Sequence, residues 1–104
     1  MLCFFLFRYP QEFVIELGTQ VAISRIKTAT NNVRDLQIDR CYGPVGDWEP
    51  VFRVSIAEGA DGHLQMESNQ VNRVKAQRLR VRINSGWSNF STVHNISVEA
   101  KISA

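Results

Sequence analysis

Leu79, Val81 and Ile83 alternate with Arg78, Arg80 and Arg82. That is the period of a β-strand with one buried face and one wet face. The spacing predicts a strand over 77–84, its arginines outward and its aliphatics inward. The same period runs through most of the chain. From Gln11 to Leu17, Phe13, Ile15 and Leu17 share one face, and Glu12, Val14 and Glu16 share the other. Gly18-Thr19 reads as a turn, after which Val21 and Ile23 resume the alternation. Ile26 then falls out of step, which a β-bulge near Ser24-Arg25 accounts for. Thr30-Asn31-Asn32 reads as the next turn. Val33 to Arg40 forms a strand with Leu36 and Ile38 inward, and the stretch Cys41 to Asp47 is dense in turn residues. Val51 to Glu58 alternates through Phe52, Val54 and Ile56. Gly59 to Gly62 is a turn, and His63 to Asn72 a short, mostly exposed strand. Ser85 to Asn89 is a loop. Val93 to Ile102 is the last strand, with Ile96, Val98, Ala100 and Ile102 in step and a second bulge between Val93 and Ile96.

About seven short strands separated by turns predict an all-β fold, an antiparallel sandwich or barrel. The last strand has the longest apolar row. Its expected place is central in a sheet, paired near the first strand. Val81→Asp is expected to unfold such a domain and Arg80→Glu to leave it intact.

The totals narrow the class. A chain of 104 residues accommodates one small domain, and 44% hydrophobic with 21% charged residues is ordinary globular composition. A net charge of +2 does not by itself argue for nucleic acid. Cys3 and Cys41 lack the spacing of a metal or redox pair and read as free thiols in a reducing compartment. The sequons Asn89-Phe90-Ser91 and Asn95-Ile96-Ser97 matter only in a secreted chain. The opening, Met1 to Arg8, departs from the rest. Its apolar run Leu2 to Phe7 is shorter than a signal-peptide core, has its basic residue on the wrong side and lacks a small-residue cleavage site. It is also far below the roughly 20 residues of a spanning helix. No membrane span is therefore expected. Residues 1–8 form an atypical hydrophobic segment, and 9–104 a single domain.

Candidate chemistry is sparse. His94 and His63 are not tied to any nucleophile by a known motif. There is no Gly-x-Ser-x-Gly, P-loop or His-Glu-x-x-His, so the chain is expected not to be an enzyme. His94 reads as a polar residue at a bulge. Glu12 and Glu16 share a face, but about 13 Å apart along a strand they suit solvated surface better than paired acid catalysis. The stripe Arg78, Arg80, Arg82 has two readings. One is a docking surface for an acidic partner; the other is an outer face paired with acids on neighbouring strands. Trp48, Trp87 and Phe90 lie in or beside loops. Trp87 is an interface anchor or a cap on the core, and Phe90 is expected to plug the end of the sandwich.

Three stretches together carry a resemblance: Tyr9 to Gly18, Val21 to Ile26, and Leu79 to Ser85 continuing through Asn89 to Glu99. The first two resemble galactose-binding-like, discoidin-type jelly rolls. The last resembles the intraflagellar transport protein twenty-five family, also called heat-shock protein beta-eleven. The resemblance implies a non-catalytic adaptor of the intraflagellar transport B complex, in cytoplasm and cilium. Its implied partners are a Rab-like small GTPase, intraflagellar transport protein twenty-seven, and other B-complex subunits, with no nucleic acid. Arg78, Arg80, Arg82 and Trp87 are then the partner-binding candidates.

The resemblance also implies a further strand and an acidic loop ahead of Tyr9, where this chain has Met1 to Arg8. The expectation is a substitute end and an incomplete jelly roll, less stable than its relatives. Leu2 to Phe7 is expected either to lie along the exposed sheet edge and bury Phe5 or Phe7, or to hang free as a tail that invites aggregation, the first being favoured. The family's calcium ion implies a residual ligand at Glu99, beside Ser97 and Val98. One carboxylate falls short of the six to eight oxygens calcium takes, so tight calcium binding is not expected. The alternative class is a carbohydrate-binding module on the same fold, using Trp48, Trp87 and His63. A third, a DNA-repair scaffold, would use the arginine stripe.

Overall fold

The structure, a computed structural model, describes residues 4–6, 9–60 and 63–102, with only the backbone described for 4–6. Among the described residues six strands follow one another: β1 (Phe4–Leu6), β2 (Gln11–Asn31), β3 (Val33–Cys41), β4 (Glu49–Ser55), β5 (Gln65–Gly86) and β6 (Ser91–Ile102). They hydrogen-bond in the order β1-β6-β2-β5-β3-β4, and every pairing is antiparallel.

One expected turn, Gly18-Thr19, and the break left between Asn72 and Gln77 are corners within strands. β2 runs for 21 residues and β5 for 22, and both cross the molecule. Between the pairs Glu16–Arg78 and Val21–Ala76, β2 places Leu17 to Gln20 against the single residue Gln77. Gly18 sits there at φ 83°, a backbone state that costs glycine little. Between Ile23–Val74 and Arg25–Gln70, β5 answers with Val71 to Arg73 against Ser24, and Arg73 takes φ 46°. The paired strands turn together at this corner, as strands do when they pass from one layer to another. The expected strands 11–17 and 21–26 are thus one strand, and so are 63–72 and 77–84.

The corner divides the ladder into two layers. The first holds the start of β2, the end of β5, β3 and β4. The second holds the end of β2, the start of β5, β6 and β1. Between them lies the core: Leu36, Ile38, Leu79, Val81 and Ile83 from the first layer meet Ile23, Ile26 and Val93 from the second. This is the antiparallel sandwich that the alternation predicts. Both bulges fall where the pattern slipped. Ser24 is the extra residue between Ile23–Ala100 and Arg25–Glu99, and His94 the extra residue between Ala29–Asn95 and Thr30–Val93. The last strand is not the central one its apolar row implied: β2 lies along one side of it, but β1 covers only Ser91 to Val93 on the other, and Ala100 and Ile102 are exposed.

The connections between layers gather at one end. Asn32 alone, at φ 62°, passes the chain from β2 to β3. Gln65 ties this end together, buried at 5% exposure. Its Oε1 accepts from Thr30 Oγ1 and from the Val33 amide, both at 2.9 Å. Its Nε2 donates to the carbonyls of Val33 and Ala57, both at 2.8 Å. A buried amide with all its partners fixes three segments at once. Among the described residues, no helix is long and apolar enough to cross a membrane.

Candidate functional site

The arginine stripe faces outward and is consumed by the protein itself. Antiparallel pairing sets Glu16 opposite Arg78 and Glu12 opposite Arg82. Arg78 Nε lies 2.8 Å from Glu16 Oε1, an ion pair whose N–H is not aligned to hydrogen-bond. Glu12 Oε2 stands 3.3 Å from Arg82 Nε and 3.8 Å from Arg80 Nε. On the other side Arg80 meets Asp39, with Nε and Nη2 at 2.9 and 2.8 Å from Oδ2. Asp39 is 1% exposed, and its other oxygen accepts from Gln37 Nε2 at 2.8 Å. The loop 42–48 then folds over the stripe. Arg78 Nη1 donates to the Pro44 carbonyl, and the Trp48 ring lies 5.0 Å from Arg78 and 4.9 Å from Arg80. Such stacking favours Arg, whose planar cation is weakly hydrated.

Arg80→Glu therefore would not leave the fold intact. It would set a second carboxylate against buried Asp39. Cys41 is a buried free thiol under the same loop, with its Sγ 3.8 Å from where a Cβ on Gly46 would stand; Cys3 lies outside the described residues.

At the opposite end, apolar side chains are left in solvent. Trp87, Phe90 and Leu64 are 40%, 40% and 42% exposed, and Met66 is 71%. Trp87 is nevertheless held: its Nε1 donates to the Ile56 carbonyl at 2.9 Å, its amide to the Asn32 carbonyl, and Arg34 stacks on its ring at 5.0 Å. Phe90 does not plug the sandwich. Tyr9 occupies that position instead: Ser91 Oγ donates to the Asn32 carbonyl, and the single Tyr9 hydroxyl proton is shared between Ser91 Oγ and the Ser88 carbonyl. Tyr9 leaves no room for a side chain at position 86, where a Cβ would stand 2.6 Å from its Cζ and 2.8 Å from the Asn32 carbonyl. The two stretches that carry the resemblance, around Tyr9 and Ser91, thus touch.

The remaining candidates are scattered. His63 is exposed beside Leu64, at the same end as Trp87. Trp48 is at the far end of the β3–β5 ladder, roughly 20 Å away along the strand. A single sugar platform cannot use both tryptophans. His94 occupies its bulge, its Nε2 2.8 Å from Thr92 Oγ1.

Glu99 does not fit a calcium site. Its carboxylate faces Lys27 Nζ at 3.1 Å and Arg25 Nε at 3.7 Å. Among the described residues, no group of three His, Cys, Asp or Glu could hold a metal ion. Whether Phe5 or Phe7 is buried lies outside the described side chains. The backbone of β1 does pair with β6, Phe4 opposite Val93 and Leu6 opposite Ser91.

The fold defines the class first: an antiparallel β-sandwich of the jelly-roll kind, like that of galactose-binding modules. The structure superposes on the C-terminal domain of a chitobiase from Bacteroides fragilis with TM-score 0.76, covering 93% of this chain and 67% of that one at 13% identity. It matches a family 32 carbohydrate-binding module of Clostridium perfringens NanJ, solved with galactose, at TM-score 0.72, covering 86% and 66% at 14% identity. These likenesses are of fold. No protein-family model matches the chain.

Sequence narrows the class to particular relatives. The chain is 38% identical over 91 residues to Intraflagellar transport protein 25 of Chlamydomonas reinhardtii, covering 86% of this chain and 47% of that protein. It is 30% identical over 96 residues to the human Intraflagellar transport protein 25 homolog, covering 90% and 65%. The resemblance to this family read from the residues holds, and the chain spans about half the length of the first relative and just under two thirds of the second.

Proposed function

We propose that this chain is a non-catalytic adaptor domain of intraflagellar transport. It would dock a Rab-like small GTPase, intraflagellar transport protein twenty-seven, within the B complex, in the cytoplasm and the cilium. The observation that carries the reading is the 38% identity to a protein named for that process, over most of this chain. The surface that suits docking best is the end built from Trp87, Phe90, Leu64 and Met66. These exposed apolar side chains lie on or beside the three interlayer connections at one end, and Trp87 is already held in place by Ile56 and Arg34. The arginine stripe suits it less, since each guanidinium already has a carboxylate.

Co-purification of the full chain with the GTPase at micromolar concentration tests the reading. A stable complex supports it, and failure to form one counts against it.

In this reading the domain works without calcium held by Glu99, because two cations already face that carboxylate. A clear rise in melting temperature at low micromolar calcium would overturn that point. Carbohydrate binding is the second reading. It is favoured by the likeness to sugar-binding modules and by Trp87 and His63 at one end. Quenching of tryptophan fluorescence by a galactoside, lost in Trp87→Ala, would support it.

A further inference from the structure

Among the described residues, β6 is an edge strand beyond Val93. β2 pairs with it from Thr92 to Ile102, but on its other side β1 reaches only Ser91, Thr92 and Val93. Among the described residues, no strand meets that side beyond Val93. The backbone groups there that point away from β2 are open to a further strand. The side chains of this segment are open too: Ala100, Lys101 and Ile102 are exposed, Ile102 at 76%.

We propose that this edge pairs with the same edge of a second copy of the chain, antiparallel, about a two-fold axis at Ala100. The sequence Val98-Glu99-Ala100-Lys101-Ile102 is self-complementary in that register. Ala100 meets Ala100 of the other copy. Glu99 meets Lys101, and Lys101 meets Glu99, on the outer face. Val98 meets Ile102 on the inner face, which covers the most exposed aliphatic of the strand. Opposite residues in an antiparallel pair share a face, so both contacts form together. Neighbouring registers lack this match. An axis at Glu99 sets two carboxylates against each other, and an axis at Val98 sets Ser97 against Glu99 and Asn95 against Lys101. Glu99 keeps half its side chain in solvent despite Arg25 and Lys27, so it remains reachable. The contact is isologous and closes on itself, which gives a dimer and not a fibre. Five residues of edge bury less than a standard interface, so the association is weak and reversible.

Sedimentation velocity of the full chain across a concentration series reads the dimer directly. The native chain should pass from monomer to dimer at high micromolar concentration. Lys101→Glu turns both charge pairs repulsive and should move that midpoint up about tenfold. A thermal melt of the same variant should be unchanged, since Lys101 is exposed. Register is read by cross-linking in a Cys3→Ser background. Ala100→Cys should form an intermolecular disulfide on mild oxidation, because the two Cα atoms lie within disulfide reach. Ser97→Cys should not. A chain that stays monomeric throughout overturns the proposal. So does a Lys101→Glu variant that dimerises like the native chain, or cross-linking at position 97 in place of 100.

Discussion

The arginine ladder and the Trp87 end hold the two most conspicuous groups of side chains on this chain, and they are built in opposite ways. On the ladder, charge meets charge: Glu16, Glu12 and Asp39 answer Arg78, Arg82 and Arg80, and Trp48 lies over two of the guanidinium planes. At the Trp87 end the polar groups are satisfied in the interior, through Gln65, Asn32 and Ile56, while apolar surface faces water. A row of arginines reads as a docking surface only while its counter-ions are unknown. Once neutralised at home, it offers a partner little net charge and would have to break existing pairs. The Trp87 end offers a partner apolar area, and the Trp87 indole hydrogen bond runs inward to the Ile56 carbonyl.

Val81 is fully buried between Arg80 and Arg82. Val81→Asp should abolish folding, since a buried unpaired carboxylate costs several kcal/mol. Loss of the far-UV circular dichroism signature of the folded chain is the readout.

Arg80 comes next. Arg80→Ala leaves Asp39 buried without its cation, and breaking such a pair costs about 3–5 kcal/mol. Arg82→Ala removes a half-buried cation whose partner, Glu12, is itself exposed, and should cost less than about 1 kcal/mol. Urea titrations of the two variants separate a structural arginine from a surface one. Equal losses would mean the stripe is uniform, and the account of Asp39 would fail.

Gln65→Ala makes the matching test at the other end. It strips partners from Thr30, Val33 and Ala57, and about 3 kcal/mol is the expected loss. Hydrogen exchange at the Val33 amide should speed up accordingly.

The smallest effect is electrostatic. Arg53 forks onto Asp35, with Nη2 at 2.7 Å from Oδ2 and Nε at 3.1 Å from Oδ1, and Asn84 adds a longer bond. The Arg53 hydrogen bonds hold the Asp35 carboxyl below its ordinary value, against the opposing effect of partial burial. A carboxyl depressed in the folded state contributes stability above its unfolded pKa and loses it as pH falls through the folded one. Arg53→Ala should therefore cost a little stability at neutral pH and flatten the decline on the acid side of about pH 4. Melting temperatures of both proteins from pH 2 to 7 should converge at the acid end.

Local pattern made much of this fold legible. The row Leu79, Val81, Ile83 is buried as its alternation implied, and the slips at Ser24 and His94 are bulges because one residue added to a strand flips every later side chain. Gly18 and Arg73 were not legible as a corner. A glycine at positive φ serves a hairpin and a layer crossing equally, and only the partner strand decides between them. The ladder was half legible. Glu12 and Glu16 repeat at the spacing of Arg78 and Arg82, so antiparallel pairing of the two strands could have been read from the charges alone. Asp39 and Trp48 could not, because they reach the arginines from a third strand and a folded-over loop. Gln65 gave no signal in a segment that reads as exposed, since its partners are backbone groups from remote stretches.

Titration of the Rab-like GTPase with the native chain, Trp87→Ala and Arg82→Ala tests the central claim most directly. The account predicts micromolar or tighter binding by the native chain, at least about tenfold weaker binding by Trp87→Ala, and little change for Arg82→Ala. Binding lost with Arg82 and kept without Trp87 would contradict it, as would no binding by the native chain.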